Sequence, residues 1–88
     1  METILIVEDK DSMARMLRET IESAGYKAVI AQDGDEGIAR IRKEKISLVL
    51  SDLKLPGKDG LQVLAAAREE DPAMPVIVMT AYGSVDTA

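Results

Sequence analysis

Four short apolar runs punctuate the chain, and the segments between them carry apolar residues at helical spacing. The runs are rich in Ile, Val and Leu, and each one ends at polar residues. Short runs of this kind, separated by helical patterns, are typical of parallel strands that are buried on both faces. We therefore predict strands over residues 3–7, 27–31, 47–51 and 76–79.

The first helix is predicted over residues 12–24. Asp11 or Ser12 can cap its start, and Gly25 is well placed to end it. Its apolar positions recur every three or four residues, which indicates one buried face. That face comprises Met13, Met16, Leu17, Thr20, Ile21 and Ala24.

Two further helices have the spacing of a capping box at their starts. Asp33 precedes Glu36 by three residues, and Asp59 precedes Gln62 by the same interval. The third helix is expected to stop near residues 71–72, where a proline follows. We expect the second helix to turn Ile38, Ala39 and Ile41 towards the core, and the third to turn Leu61, Leu64, Ala65 and the stem of Arg68 inwards.

Strands and helices alternate along the whole chain, with short connections. This order predicts a parallel sheet with right-handed crossovers. Ser84 begins a fourth helical pattern that has hardly started at Ala88. We therefore expect one domain over residues 1–88 that is incomplete at its C-terminus, with its fourth strand at an exposed edge, a position prone to swapping or aggregation.

Acidic and hydroxyl residues stand where the apolar runs stop. Glu8 and Asp9 follow the first strand, Asp52 follows Ser51 at the third, and Thr80 follows the fourth. Ligands of such sheets bind beyond the carboxyl ends of the strands, so these side chains are expected to converge. Carboxylate oxygens suit a hard cation, and Mg²⁺ is the favoured one because it is commonly held by one or two carboxylates and water.

A phosphoryl group is the chemistry that such a cluster favours. The Asp52 carboxylate is a candidate nucleophile that forms an aspartyl-phosphate. Mg²⁺ held by Asp9 directly, and by Glu8 through water, offsets the negative charge of the incoming group. Thr80 is then placed to donate its hydroxyl to a phosphate oxygen.

Composition narrows the classes of function. The chain is 47% hydrophobic and 31% charged, with a net charge of −5 and a pI of about 4.6. An acidic balance argues against direct nucleic acid binding by these residues. There is no cysteine, hence no disulfide or Cys-based metal site. No apolar stretch is long enough to span a membrane, and we expect a cytoplasmic protein.

Three segments resemble the receiver domain of two-component response regulators: residues 4–9, 48–60 and 75–84. The last two are most similar to receivers of nitrogen-regulation-type, sigma-54-dependent transcriptional activators. The resemblance implies a flavodoxin-like, three-layer αβα fold with strand order 2-1-3-4. The family's fifth strand, which ends in a Lys, and its fifth helix are absent from these 88 residues.

The resemblance also implies a role for each site residue. Asp52 accepts a phosphoryl group from a sensor histidine kinase, and Thr80 is the switch residue. Asp9, Asp52 and the backbone carbonyl of Lys54 hold Mg²⁺, with Glu8 assisting through water. Such a domain controls transcription through a conformational equilibrium and catalyses only its own phosphorylation and dephosphorylation, so it is not an enzyme acting on other substrates.

Purely structural interpretations of these residues, and two other functions, stay open. Glu8 and Asp9 can belong to a solvated turn, Asp52 can start a turn, and Thr80 can satisfy a strand-end backbone group. One other function is a non-switching receiver fragment that acts as an interaction or domain-swapped oligomerisation module and associates through the exposed sheet edge. The other is a phosphohydrolase, although such enzymes commonly have a second Asp where this chain has Lys54.

Overall fold

A computed structural model describes residues 2–79, which form four strands and three helices in alternation. All strands are parallel and lie in the order β2-β1-β3-β4. The predicted fold and strand order are therefore confirmed. The elements are β1 (Thr3–Val7), α1 (Asp11–Ser23), β2 (Lys27–Ala31), α2 (Gly34–Lys43), β3 (Leu48–Asp52), α3 (Gly60–Glu70) and β4 (Val76–Met79).

Strand order and crossover handedness together place the helices. The chain moves from β1 to β2 in one direction, then from β2 across to β3 and on to β4 in the other. Right-handed crossovers therefore put α1 on one face of the sheet and α2 and α3 on the opposite face. The helices on the shared face contact each other, whereas α1 contacts β1 and β2.

The main core lies between the sheet and the pair α2 and α3. Leu5, Val7 and Val49 supply the strand side and are fully buried. Five residues supply the helix side of the same cluster: Ile38, Ile41, Val63, Ala66 and Ala67. Burying this much aliphatic surface is the main force that holds the helices on the sheet.

The helix starts agree with the sequence at α2 and α3 but not at α1. The Asp33 carboxylate accepts the Glu36 amide at 2.8 Å, and Asp59 and Gln62 form a reciprocal capping box. The prediction of Asp11 or Ser12 as the cap of α1 was wrong, because Lys10 occupies the N-cap and makes no side-chain cap bond. Asp11 instead lies in the first turn, where a negative charge is favourable.

Two predicted helix faces also need correction. On α3 the buried side is Val63, Ala66 and Ala67, whereas Leu61 is 58% exposed. On α1 only Ala14 is buried, and the methionines of the predicted stripe are exposed. Two of the inner residues of α3, Ala66 and Ala67, have small side chains, which allow α3 to lie close to the strands. Ala39 of α2 is likewise exposed. Within residues 2–79, no helix is both long and apolar enough to cross a membrane.

Candidate functional site

The parallel register brings the acidic residues to one edge of the sheet. Val7 is aligned with Ser51, so Glu8 and Asp52, which follow them, lie side by side at the carboxyl end of the sheet. Carboxylate oxygens of Glu8, Asp9 and Asp52 all lie within 4.8 Å of one another. The predicted convergence of these three side chains is therefore present in the structure.

Glu8 is held in place by backbone hydrogen bonds on both sides. Its N–H donates to the Ala31 carbonyl at 3.0 Å, and its Oε2 accepts the Lys10 N–H at 3.0 Å. The side chain is only 4% exposed. Burial raises the pKa of the Glu8 carboxyl, and the nearby Asp52 charge raises it further, while the Lys10 amide opposes the shift. Ionising the Glu8 carboxyl therefore costs free energy when no cation is nearby.

Asp52 is the last residue of β3 and is also only 4% exposed. The hydroxyl of the fully buried Ser51 donates to the Asp52 carbonyl at 2.9 Å. Gly60 lies close behind, where an added Cβ would stand 2.9 Å from the Leu53 Cα. The backbone that carries Asp52 is therefore fixed from two sides, which limits the freedom of its carboxylate.

The donor set fits a hard divalent cation. All three side chains offer oxygen, and two of them are buried while Asp9 is exposed. Three ionised carboxylates at such short separations repel one another, and a cation in contact with all of them removes that repulsion. The exposed position of Asp9 leaves a route for a hydrated ion, which suits Mg²⁺ because it keeps several waters.

The other two predicted site residues are less directly tested. Lys54 is an exposed residue of the loop that follows β3, two positions after Asp52, and it makes a polar interaction there. Its carbonyl as a metal ligand remains a prediction. Thr80 lies outside the described residues.

Sequence reasoning missed Ser51 and Gly34 as parts of this region. In the sequence, Ser51 looks like an ordinary polar residue at the end of a strand. Its position directly before Asp52 could have suggested a local hydrogen bond. From the sequence, Gly34 is expected to be only a turn residue after Asp33. Its closeness to the loop after β3 depends on how α2 and α3 pack together, which no local pattern reports.

The profile of the response regulator receiver domain matches residues 4–88, nearly the whole chain. The chain belongs to this family. It is 39% identical to the Transcriptional regulatory protein GlrR of Escherichia coli (strain K12) over 85 residues. The aligned segment covers 97% of this chain and 19% of that protein. The chain thus spans about a fifth of the length of that regulator. The resemblance stated from the sequence is confirmed at the level of the receiver family, and its relatives include transcriptional regulators.

A shorter relative and a solved structure support the same assignment. Sporulation initiation phosphotransferase F of Bacillus subtilis (strain 168) is 39% identical over 85 residues, covering 97% of this chain and 68% of that protein. The response regulator TrrA of Thermotoga maritima, solved in complex with Mg(2+)-BeF, superposes with a TM-score of 0.89 at 29% identity, covering 99% of this chain and 76% of that one. Receivers are the phosphoacceptor domains of two-component signalling, and sensor histidine kinases phosphorylate them.

Proposed function

We propose that residues 1–88 form one receiver domain in which Asp52 accepts a phosphoryl group from a sensor histidine kinase, and that this event controls transcription. The supporting observation is the buried Asp52 carboxylate, placed within 4.8 Å of those of Glu8 and Asp9. A nucleophile confined among acids is suited to a reaction in which a cation offsets the charge of the phosphoryl group.

The same cluster is proposed to bind Mg²⁺ through Asp9, Asp52 and the Lys54 carbonyl, with Glu8 acting through water. The all-oxygen donor set supports this choice, and so does the complex of the Thermotoga maritima relative with Mg(2+)-BeF. When bound, Mg²⁺ supplies positive charge to the phosphoryl oxygens. The carboxylate of Glu8 stays fixed by the Lys10 amide, so it can orient a water without moving.

The transfer itself exchanges one bond to phosphorus for another. A carboxylate oxygen of Asp52 forms the new O–P bond as the bond from phosphorus to the histidine nitrogen of the kinase breaks, and that ring takes up a proton to become neutral imidazole. Burial keeps Asp52 in one position for this attack, which reduces the entropy that must be lost. Thr80 is proposed to donate its hydroxyl to the phosphoryl group afterwards and to report the modification.

This proposal makes the protein a signalling switch rather than an enzyme acting on other substrates. Its only chemistry would be its own phosphorylation and the return to free Asp52. We also propose a cytoplasmic location, where the family's phosphoryl donors act, and no direct nucleic acid binding by these residues, in keeping with their net charge of −5.

The test is intact mass spectrometry after incubation with Mg²⁺ and a small-molecule phosphodonor. We expect one phosphoryl adduct on the wild type and none on Asp52→Asn, because the amide is not a nucleophile. Asp71→Asn, at the far end of α3, is the matched control and should be modified normally. A stoichiometric adduct on Asp52→Asn would remove Asp52 from its proposed role.

A second candidate function is a non-switching module that associates with another copy. It is favoured by one observation: Ile77 on β4, the outer strand of the described sheet, is 51% exposed. Sedimentation of the unmodified protein over a range of concentrations separates the two functions when it is combined with the mass measurement. Association without any phosphoryl adduct would favour the second candidate, and a monomer that becomes phosphorylated would exclude it.

A further inference from the structure

The loop over residues 53–59 joins β3 to α3 and lies directly beside the proposed metal site. It begins after Asp52 and carries Lys54, whose carbonyl is one of the three proposed direct ligands, with Asp9 and Asp52. On its inner side the Gly60 N–H donates to the Leu53 carbonyl at 2.9 Å, and Leu55 packs against the core cluster. The position of this loop therefore decides where the Lys54 carbonyl stands relative to Asp52, the last residue of β3.

The first turn of α2 lies against the outer side of the same loop. The Gly34 N–H donates to the Pro56 carbonyl at 3.5 Å. A Cβ added at Gly34 would stand 2.6 Å from the Lys58 carbonyl carbon and closer still to its oxygen. Those neighbours are backbone atoms, so they cannot yield by changing a side-chain rotamer. Any side chain at position 34 would have to displace the loop or the helix.

Asp35 extends this contact along the loop. Its Oδ1 lies 3.8 Å from the Lys58 Nζ, and its Oδ2 lies 2.7 Å from the point that a Cβ on Gly57 would occupy. Gly57 has a φ of 73°, which favours glycine at this turn. Because Gly34 of α2 and Gly57 of the loop have no side chains, the two segments can approach each other closely.

We propose that Gly34 and Asp35 are positioning residues for the phosphoryl site: they hold the loop over residues 53–59 so that the Lys54 carbonyl and the Asp52 carboxylate face the same cation. Neither residue belongs to the acidic cluster of Glu8, Asp9 and Asp52. They act through the loop backbone, because their contacts are with Pro56, Gly57 and Lys58 of the same loop. This inference rests on the proposed function, because it assumes that the cluster binds Mg²⁺.

The experiment compares Gly34→Ala with Gly25→Ala in the full protein, using Mg²⁺ itself as the probe. Gly25 ends α1 with a φ of 96°, and an added Cβ there would meet nothing within 4 Å. Alanine at position 25 is strained and lowers the melting temperature without touching the loop. It is therefore a control for general destabilisation.

We expect Gly34→Ala to raise the Mg²⁺ dissociation constant about tenfold, the lower end of the usual effect of residues behind a metal ligand. Gly25→Ala should leave that constant within about twofold of the wild type, because a Cβ at the end of α1 meets no atom of the loop or of the ligands. The measurement is a Mg²⁺ titration followed by the backbone amide resonances of residues 52–55 and 57–59. Those signals should also be displaced in metal-free Gly34→Ala and unchanged in metal-free Gly25→Ala.

Asp35→Ala decides the matter if Gly34→Ala does not fold. Asp35 is exposed, so its removal should weaken Mg²⁺ binding only about threefold while preserving the fold. Asp71→Ala is the control: it also removes one negative charge, but at the C-terminal end of α3, away from the loop. It should have no effect on the titration.

The results distinguish a failure of the positioning role from a failure of the proposed metal site. Unchanged Mg²⁺ affinity in Gly34→Ala or Asp35→Ala, with a wild type that binds, would overturn the positioning role alone. Equal losses in Gly34→Ala and Gly25→Ala would also overturn it, because the effect would then follow stability. A wild type that binds no Mg²⁺ would overturn the proposed metal site together with this inference.

Discussion

The apolar layer under α2 and α3 and the acidic edge of the same sheet are buried to a similar degree, yet burial has opposite consequences in the two regions. Leu5 is fully buried among aliphatic side chains, whereas Glu8 and Asp52 are 4% exposed beside other carboxylates. In the first region burial removes apolar surface from water and stabilises the fold. In the second it takes acidic groups out of water, and at Glu8 it raises the pKa of the carboxyl.

The difference shows that one region stabilises the domain and the other gives it reactivity. Residues of β1 and β3 contribute to both, since their inner side chains build the core and their C-terminal ends carry the acids. A rigid core can therefore hold the acids at separations that they would not adopt freely. The energetic cost of that arrangement becomes useful when a cation binds and removes it.

The largest expected effect on stability concerns the apolar layer. Leu5→Ala should lower the free energy of unfolding by about 3 kcal/mol, because it leaves a cavity in the core. Leu61→Ala removes the same atoms from an exposed position on α3 and should change it by about 0.5 kcal/mol or less. Urea denaturation of both variants measures the difference. Similar losses in the two variants would contradict the assignment of Val63, Ala66 and Ala67 as the inner side of α3.

A smaller effect of opposite sign is expected at the acidic edge. Without metal, Asp52→Asn should raise the free energy of unfolding by about 1 kcal/mol, because it removes one of three mutually repelling charges. For a domain of this size, that corresponds to a melting temperature higher by about 5 °C. Asp71→Asn is the control and should stay near the wild type. A clear fall in the melting temperature of Asp52→Asn would contradict close contact among the carboxylates.

The smallest expected effect is the pH dependence that arises from Glu8. Its pKa is raised in the folded state by burial and by Asp52, so the folded protein binds a proton more tightly than the unfolded chain does. In the absence of metal, this term lowers stability as the pH rises from about 4.5 through the folded pKa, and it vanishes below 4.5, where both states are protonated.

Glu8→Gln tests this linkage because glutamine keeps the shape and cannot titrate. Urea denaturation of the wild type and of Glu8→Gln should give stabilities that diverge as the pH increases through this range, with Glu8→Gln the more stable. Asp59→Asn, at the exposed cap of α3, controls for a general effect of removing an acid. Parallel pH profiles for the wild type and Glu8→Gln would show that the buried position of Glu8 carries no such cost.

The described part of the chain followed the sequence closely wherever the signal was local. Alternating apolar runs and helical patterns predicted every strand to within one residue, and the capping box at Asp59 and Gln62 was found as expected. The three acids were identified because parallel strands carry their C-terminal residues to one edge, whatever the side chains between them. Strand order 2-1-3-4 came from the family resemblance and is confirmed by the sheet.

Tertiary packing decided which side of α1 and α3 faces inward, whereas the sequence already indicated Ile38 and Ile41 as inner residues of α2. Hydrophobicity favours Leu61 as a buried residue of α3, but the packing of α3 on the sheet buries Val63, Ala66 and Ala67 instead. The contact of Gly34 with the loop after β3 likewise depends on α2 lying beside α3. Sequence by itself determined the elements and the edge where the acids meet, since both follow from chain-local rules. The separations between those acids, and the contacts that maintain them, depend on side chains from distant parts of the chain sharing the same space.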